Sequence, residues 1–333
     1  MTSSTMNSKL KIAVIGCGGI SNCHLGGYSR NSNVEIYALC DINRARAEEK
    51  AAKYGVPPER VFDDKDKMFA ALPEIDAVSV CTWNNAHAEC TIAALNAGKH
   101  VLCEKPFTLT AAEAEEVFAM ARARGLFVME AMWTRFQPAV RLIRDVIASG
   151  EIGVPRFLQA TFGLAISHKE RVKNPALGGG ALLDLGIYPL NFAAMHFGLA
   201  DISRVSSHAT LSPEGVDDQS SATLEYADGR LASLTTSMTA ACGAFGRISG
   251  TLGHVELPQL TRCESFTVRL VPSDKAREVK CPFDFNGYEY EVRAVAAAIR
   301  AGRLACDEMP PSETIAITRL MEQLRQEWQS RQP

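Results

Sequence analysis

The residues best suited to chemistry in this 333-residue chain begin at Gly16-Cys17-Gly18-Gly19-Ile20-Ser21. Three glycines in four positions end the apolar run KIAVIG (11–16) and open a helical stretch. In such a turn the first glycine permits the tight bend and the second lets the backbone approach a pyrophosphate. Unpaired N–H groups and the dipole of the following helix favour the anion. Ser21 stands where a third glycine is usual and is small enough for close packing. Asp41 follows the next apolar run, 20 residues beyond Ser21, the place of an acid that bonds the ribose of a dinucleotide. A carboxylate there accepts from both ribose hydroxyls and repels a 2′-phosphate, which favours NAD. Arg44 is close enough to partner such a phosphate, so NADP is the close alternative. A tight turn that binds nothing is the bland alternative, and the strand, helix and acid around it weigh against that.

The elements that must position these residues fall into two halves. KIAVIG (11–16), VEIYALC (34–40), DAVSVCT (76–82), HVLCEKP (100–106) and LFVME (126–130) read as strands. Helical periodicity fills 43–54, 86–97 and 110–124, the last opened by Thr110 and Glu113 as a capping box. Near-continuous apolar strands alternating with helices predict a doubly wound parallel sheet, a Rossmann domain over 10–129. From 130 to 333 the pattern changes. A helix at 138–149, a strand at 156–163 and an apolar helix at 179–197 precede strand-like runs at 204–211, 219–226, 230–239 and 264–271. Two of those runs are joined by Ala227-Asp228-Gly229-Arg230, a hairpin signal. Helices at 288–301 and 312–329 close the chain. Successive strands without helices between them predict a mainly antiparallel open sheet for a second, substrate-binding domain.

Composition narrows the partners. With 35 Lys+Arg against 38 Asp+Glu, the chain lacks the concentrated basic field that nucleic acid or an anionic membrane requires. No run reaches the ~18 apolar residues of a membrane span, and MTSSTMNSK at the start has no apolar signal stretch. Ten cysteines without CxxC spacing or a zinc-like Cys/His cluster predict no metal site and a reducing, cytoplasmic setting.

Three further motifs carry a resemblance to a known family. Thr82-Trp83-Asn84-Asn85-Ala86-His87 resembles a Thr-Pro-Asn-x-x-His motif, with Trp83 in place of proline. Glu104-Lys105-Pro106 matches a Glu-Lys-Pro motif. The run Gly178 to Tyr188 matches Gly-Gly-Gly-x-Leu-x-Asp-x-Gly-x-His, with Tyr188 in the histidine position. Together they resemble the glucose–fructose oxidoreductase/inositol dehydrogenase family of nicotinamide enzymes, along nearly the whole chain. Tyr188, with Met129 to Phe136, is similar to the branch of dimeric dihydrodiol and xylose dehydrogenases. The resemblance implies hydride transfer between a nicotinamide cofactor and a secondary alcohol of a sugar, polyol or trans-diol. It also implies a homodimer or homotetramer formed through the second sheet.

Chemistry agrees with the roles so implied. A phenol or an ammonium has a pKa of about 10, and an ammonium beside a phenol favours phenolate. Tyr188 is therefore assigned as proton acceptor, Lys105 as its electrostatic partner and donor to the substrate oxygen, and Asp184 as orienter. Asp184 and Tyr188, four residues apart on a helix, share a face at roughly 6 Å. The resemblance assigns Gly16, Gly18, Gly19, Ile20, Asp41, Arg44, Thr82, Asn84, His87, Glu104, Lys105, Trp133 and Arg135 to the cofactor. Each has a plainer rival: a solvated lysine, a satisfied buried phenol, packing at Trp133 and Arg135, a structural role for Glu104, a capping role for His87. Lys169, Arg171 and Lys173 read as a solvated loop beside the cleft, with contact to a sugar or phosphate as the alternative. Two other classes compete. A cofactor-retaining enzyme with net non-redox, glycosidase-like chemistry would turn over without accumulating reduced cofactor. A non-catalytic nucleotide sensor would bind without hydride transfer.

Overall fold

Strands buried on both faces build the first sheet. A computed structural model of the chain describes residues 9–271 and 273–331; residues 1–8, read above as free of a targeting stretch, lie outside them. β1 (Leu10–Ile15), β2 (Val34–Cys40), β3 (Val61–Phe62), β4 (Ala77–Val80), β5 (His100–Glu104) and β6 (Val128–Ala131) pair in parallel in the order β3-β2-β1-β4-β5-β6. The order turns at β1, so the loops after β1 and β4 flank the crevice where open α/β sheets bind ligands. Helices α1 (Ser21–Ser29), α2 (Arg44–Tyr54), α3 (Lys65–Ala71), α4 (His87–Asn96) and α5 (Ala111–Arg124) connect the strands. The expected capping box opens α5: Glu113 N–H donates to Thr110 Oγ1 at 3.3 Å, and Thr110 N–H to Glu113 Oε2 at 3.0 Å.

The chain divides into two compact units, residues through Phe136 with Asp284–Thr314, and Gln137–Phe283 with Ile315 onward. The second unit carries α6 (Pro138–Ala148), β7 (Pro155–Gly163), α7 (Glu170–Lys173), α8 (Ile187–Phe197), β8 (Ile202–Leu211), β9 (Asp217–Tyr226), β10 (Leu231–Ser237), β11 (Gly243–Gly250), β12 (Gly253–Leu257), β13 (Ser265–Leu270) and β14 (Lys275–Lys280). Its sheet runs β14-β13-β12-β11-β7-β10-β9-β8, antiparallel except for the parallel β7–β10 pair. Leu158, Leu224, Leu234, Ile248 and Val268 bury one face, while Phe157, Thr161, Thr235 and Phe245 on the other are half-buried. Gly229 makes the expected β9–β10 hairpin at φ +83°. β3, β11, β12 and β14 are not among the strands expected from the sequence. β11 holds three glycines, which strands disfavour, and β14 is a charged, exposed edge strand.

The first unit takes back α9 (Tyr288–Arg300), whose Val292 and Ala296 join the core built on Ile12, Val14, Leu25 and Leu39. α10 (Pro311–Ser330) follows, and its Trp328 indole N–H donates to Ser207 Oγ of the second unit's sheet at 2.9 Å. Among the described residues no helix is long and apolar enough to cross a membrane.

Candidate active site

The glycine loop leaves β1 with Gly16 at φ +93°, where a Cβ would come within 2.6 Å of the Cys81 carbonyl. Only glycine fits that approach of the β1 and β4 loops. Cβ atoms on Gly18 and Gly19 would meet nothing within 4 Å, so the loop's outer side is open. Ile20 heads α1 without a side-chain cap, and the first turn holds no acid. Ser21 is buried and donates to the Gly18 carbonyl at 2.7 Å, bracing the turn from within. This open cradle at an uncapped helix start fits the pyrophosphate of a dinucleotide.

Asp41 does more than stand at the end of β2. Its Oδ2 accepts the Cys17 N–H at 2.7 Å and its Oδ1 the Asn43 N–H at 2.8 Å, so one buried carboxylate ties the glycine loop to the start of α2. Ile42 beside it is 96% exposed, and Arg44 is exposed with its Nε donating to Glu48. Burial and the Asp41 charge push the Cys17 thiol up to about 12, so it is no nucleophile.

On the other side of β1, Thr82 and Asn84 are half-buried and Trp83 is 51% exposed. His87 is fully enclosed, with Nδ1 2.8 Å from the Pro106 carbonyl and Nε2 3.2 Å from the Thr82 carbonyl. Burial lowers its pKa while both carbonyls favour the protonated ring; the imidazole, which when neutral donates to one of the two, sits between the loops after β4 and β5. Glu104 is buried: its Oε1 lies 2.6 Å from His24 Nε2, and its Oε2 accepts the Lys105 N–H at 3.1 Å. Lys105 itself is half-buried. Trp133 and Arg135 are buried, Trp133 stacked on Tyr288 at 4.6 Å and Arg135 bound to Glu313 at 2.6 Å. Both are thereby engaged in packing and ion pairing within the first unit.

In the second unit the Gly178–Gly180 turn leads into a helix whose first part, Leu182–Gly186, is a π-turn before α8. Such bulges recur at functional sites. Asp184 lies in it, buried, with Oδ1 accepting from Arg171 Nη1 at 2.6 Å. Tyr188 is half-buried, its ring edge-on to Phe162 at 5.5 Å. The turn is organised by Asp217, whose Oδ2 accepts the Leu182 N–H at 2.6 Å. A Cβ on Gly180, at φ +118°, would strike Asp217 Oδ1 at 2.3 Å. Burial pushes the Asp217 carboxyl up to about 7.

No sequence pattern points to His24, Asp217 or the buried Glu130 and Glu291, and Arg171, which reads as a solvated loop residue, is instead bound to Asp184. Each is defined by a partner or a burial that lies far away in sequence. Among the described residues no cluster of His, Cys, Asp and Glu could hold a metal ion.

Comparison with known proteins fits this geometry. Residues 10–132 match the model of an oxidoreductase family with an NAD-binding Rossmann fold, and residues 140–256 match a GFO/IDH/MocA C-terminal domain. The chain is 35% identical to trans-1,2-dihydrobenzene-1,2-diol dehydrogenase of Bos taurus over 303 residues, 88% of this chain and 89% of that protein. It is 33% identical to the same enzyme of Homo sapiens over 88% and 89% of the two chains. Among solved structures, a 3-ketoreductase from Actinomadura kijaniata in complex with NADP and TDP-benzene is 28% identical, with a TM-score of 0.85 over 96% and 98% of the chains. Aldose-aldose oxidoreductase from Caulobacter crescentus shares the fold, with a TM-score of 0.88 at 24% identity over 97% and 98%. In both halves, then, the chain belongs to the glucose–fructose oxidoreductase/inositol dehydrogenase family of NAD(P)-binding oxidoreductases.

Proposed function

We propose that the enzyme oxidises a secondary alcohol of a sugar, polyol or trans-diol, or reduces the corresponding carbonyl, using Lys105, Asp184 and Tyr188. The observation that carries this reading is Asp184, buried and held by Arg171 one turn before the half-buried Tyr188. When bound, the nicotinamide supplies the hydride acceptor. Tyr188 takes the hydroxyl proton, Lys105 donates to the same oxygen and Asp184 orients it. Gly16, Gly18, Gly19 and Ile20 hold the pyrophosphate, while Thr82, Asn84 and His87 shape the neighbouring loop. Tyr188→Phe should abolish oxidation with cofactor affinity nearly intact; full activity in that variant would sink the proton-acceptor role. A screen for NAD(P) reduction against trans-diols, aldoses and inositols identifies the substrate. Net turnover without reduced cofactor would favour the non-redox alternative, and binding without hydride transfer the sensor.

NAD is the preferred cofactor in this reading, because the Asp41 carboxylate repels a 2′-phosphate. NADP, bound by the ketoreductase, is the second candidate, and exposed Arg44 supports it. Asp41→Ala should weaken NAD more than NADP; an unchanged ratio would refute the discrimination. The half-buried outward face of the second unit's sheet supports a homo-oligomer, and ten free cysteines support a cytoplasmic setting.

A further inference from the structure

A buried hydrogen-bonded chain runs through the first unit and ends at the backbone of Lys105. His24, on the first helix after the glycine loop, has no solvent exposure at all. Its ring lies edge-on to Tyr28 at 5.7 Å and to Tyr288 at 5.0 Å, so aromatic packing fixes the ring plane. Both ring nitrogens are engaged, Nδ1 with Tyr28 Oη at 3.0 Å and Nε2 with Glu104 Oε1 at 2.6 Å. The Tyr28 hydroxyl donates onward to Ser79 Oγ at 2.8 Å. With that proton spent, Nδ1–H is the donor to Tyr28, and the proton on the other side of the ring lies between Nε2 and Oε1. Glu104 is thus gripped through one oxygen, which leaves the other to accept the Lys105 N–H at 3.1 Å. The surroundings make the grip necessary. Glu130 and Glu291 are buried nearby, each raised by the loss of water, and the Glu104 charge raises both further. Without His24, Glu104 would face two further acids with no cationic or donor partner at its Oε1.

From this arrangement we infer that His24 is a positioning residue for Lys105: by holding Glu104 Oε1 it turns Oε2 onto the Lys105 amide and sets the direction in which the lysine side chain leaves β5. The inference rests on the reading of Lys105 as a catalytic group. Small displacements of a catalytic group cost on the order of 10²-fold in rate. In full-length His24→Phe, kcat should fall by that order with cofactor affinity unchanged, and the Lys105 amide should exchange with solvent faster. The far-downfield proton of the His24–Glu104 bond should vanish from the NMR spectrum. Tyr28→Phe keeps the ring packing and removes only the hydroxyl that orients Nδ1, so it should move all three readouts the same way and less far. It serves as the test where His24→Phe does not fold. An unchanged Lys105 amide exchange rate overturns the inference, as does wild-type kcat in the variant while Lys105→Met is inactive. Activity retained in Lys105→Met refutes the catalytic reading instead, and the exchange rate then decides the positioning role on its own.

Discussion

Replacing Asp217 by Asn takes one titrating proton out of the second unit and leaves the side chain's shape almost unchanged. Asp217 is 3% exposed, and burial raises its carboxyl from 3.8 to about 7, against the opposing pull of the Leu182 N–H it accepts. A folded-state pKa above the unfolded one favours the protonated form in the folded chain. The associated stability is fully present below about pH 4 and is lost as pH rises through about 7. Each pH unit in that window costs about 1.4 kcal/mol, or roughly 4 kcal/mol in all. An Asn carbonyl oxygen still accepts from Leu182 but does not ionise. Urea unfolding of both proteins across this window, extrapolated linearly to water, gives the difference directly. Relative to Asp217→Asn, the wild type should lose on the order of 4 kcal/mol between about pH 4 and about pH 8. Glu130, also raised to about 7, is common to both proteins and cancels. A difference that stays constant with pH would refute the protonated, buried state of Asp217.

Trp83 is the exposed tryptophan among three, Trp133 and Trp328 being 8% and 4% exposed, so reduced cofactor should quench fluorescence through Trp83. Titration of Trp83→Phe should show most of that quench gone; an equal quench would place the cofactor elsewhere. Gly16→Ala sets a Cβ 2.6 Å from the Cys81 carbonyl and adds about 1–2 kcal/mol for its left-handed backbone. Calorimetry should find cofactor affinity lowered at least ~10-fold, since 1.4 kcal/mol is tenfold. Arg171→Met removes a charge-assisted hydrogen bond to Asp184 worth ~1.5–3 kcal/mol, so kcat/KM should fall roughly 10–100-fold with cofactor affinity intact. Wild-type kinetics there would show that Asp184 orients itself.

What the sequence made readable was local. The glycine turn, the Thr110 capping box and the Asp228-Gly229 hairpin each declare themselves within a few neighbouring residues, and each stands where it was expected. A Glu-Lys-Pro or a Gly-Gly-Gly is likewise a local pattern, legible without any knowledge of the fold. The residues that hold those motifs in place were silent, because their partners are remote. His24 meets Glu104 across 80 positions, and Asp217 meets Leu182 across 35. A lone buried His or Asp has no periodicity, and its meaning exists only once the strands are assembled. Gly246 illustrates the same limit in packing. In sequence it argues against a strand, yet in the sheet a Cβ there would press on Leu260 and the Phe192 ring at 3.0–3.2 Å. Asp41 shows how far a local reading reaches. Its position points to a ribose ligand, and its two backbone hydrogen bonds add a brace for the glycine loop that no local pattern shows. An Asp41 variant must therefore be judged by the ratio of NAD to NADP affinity, since collapse of the loop would weaken both.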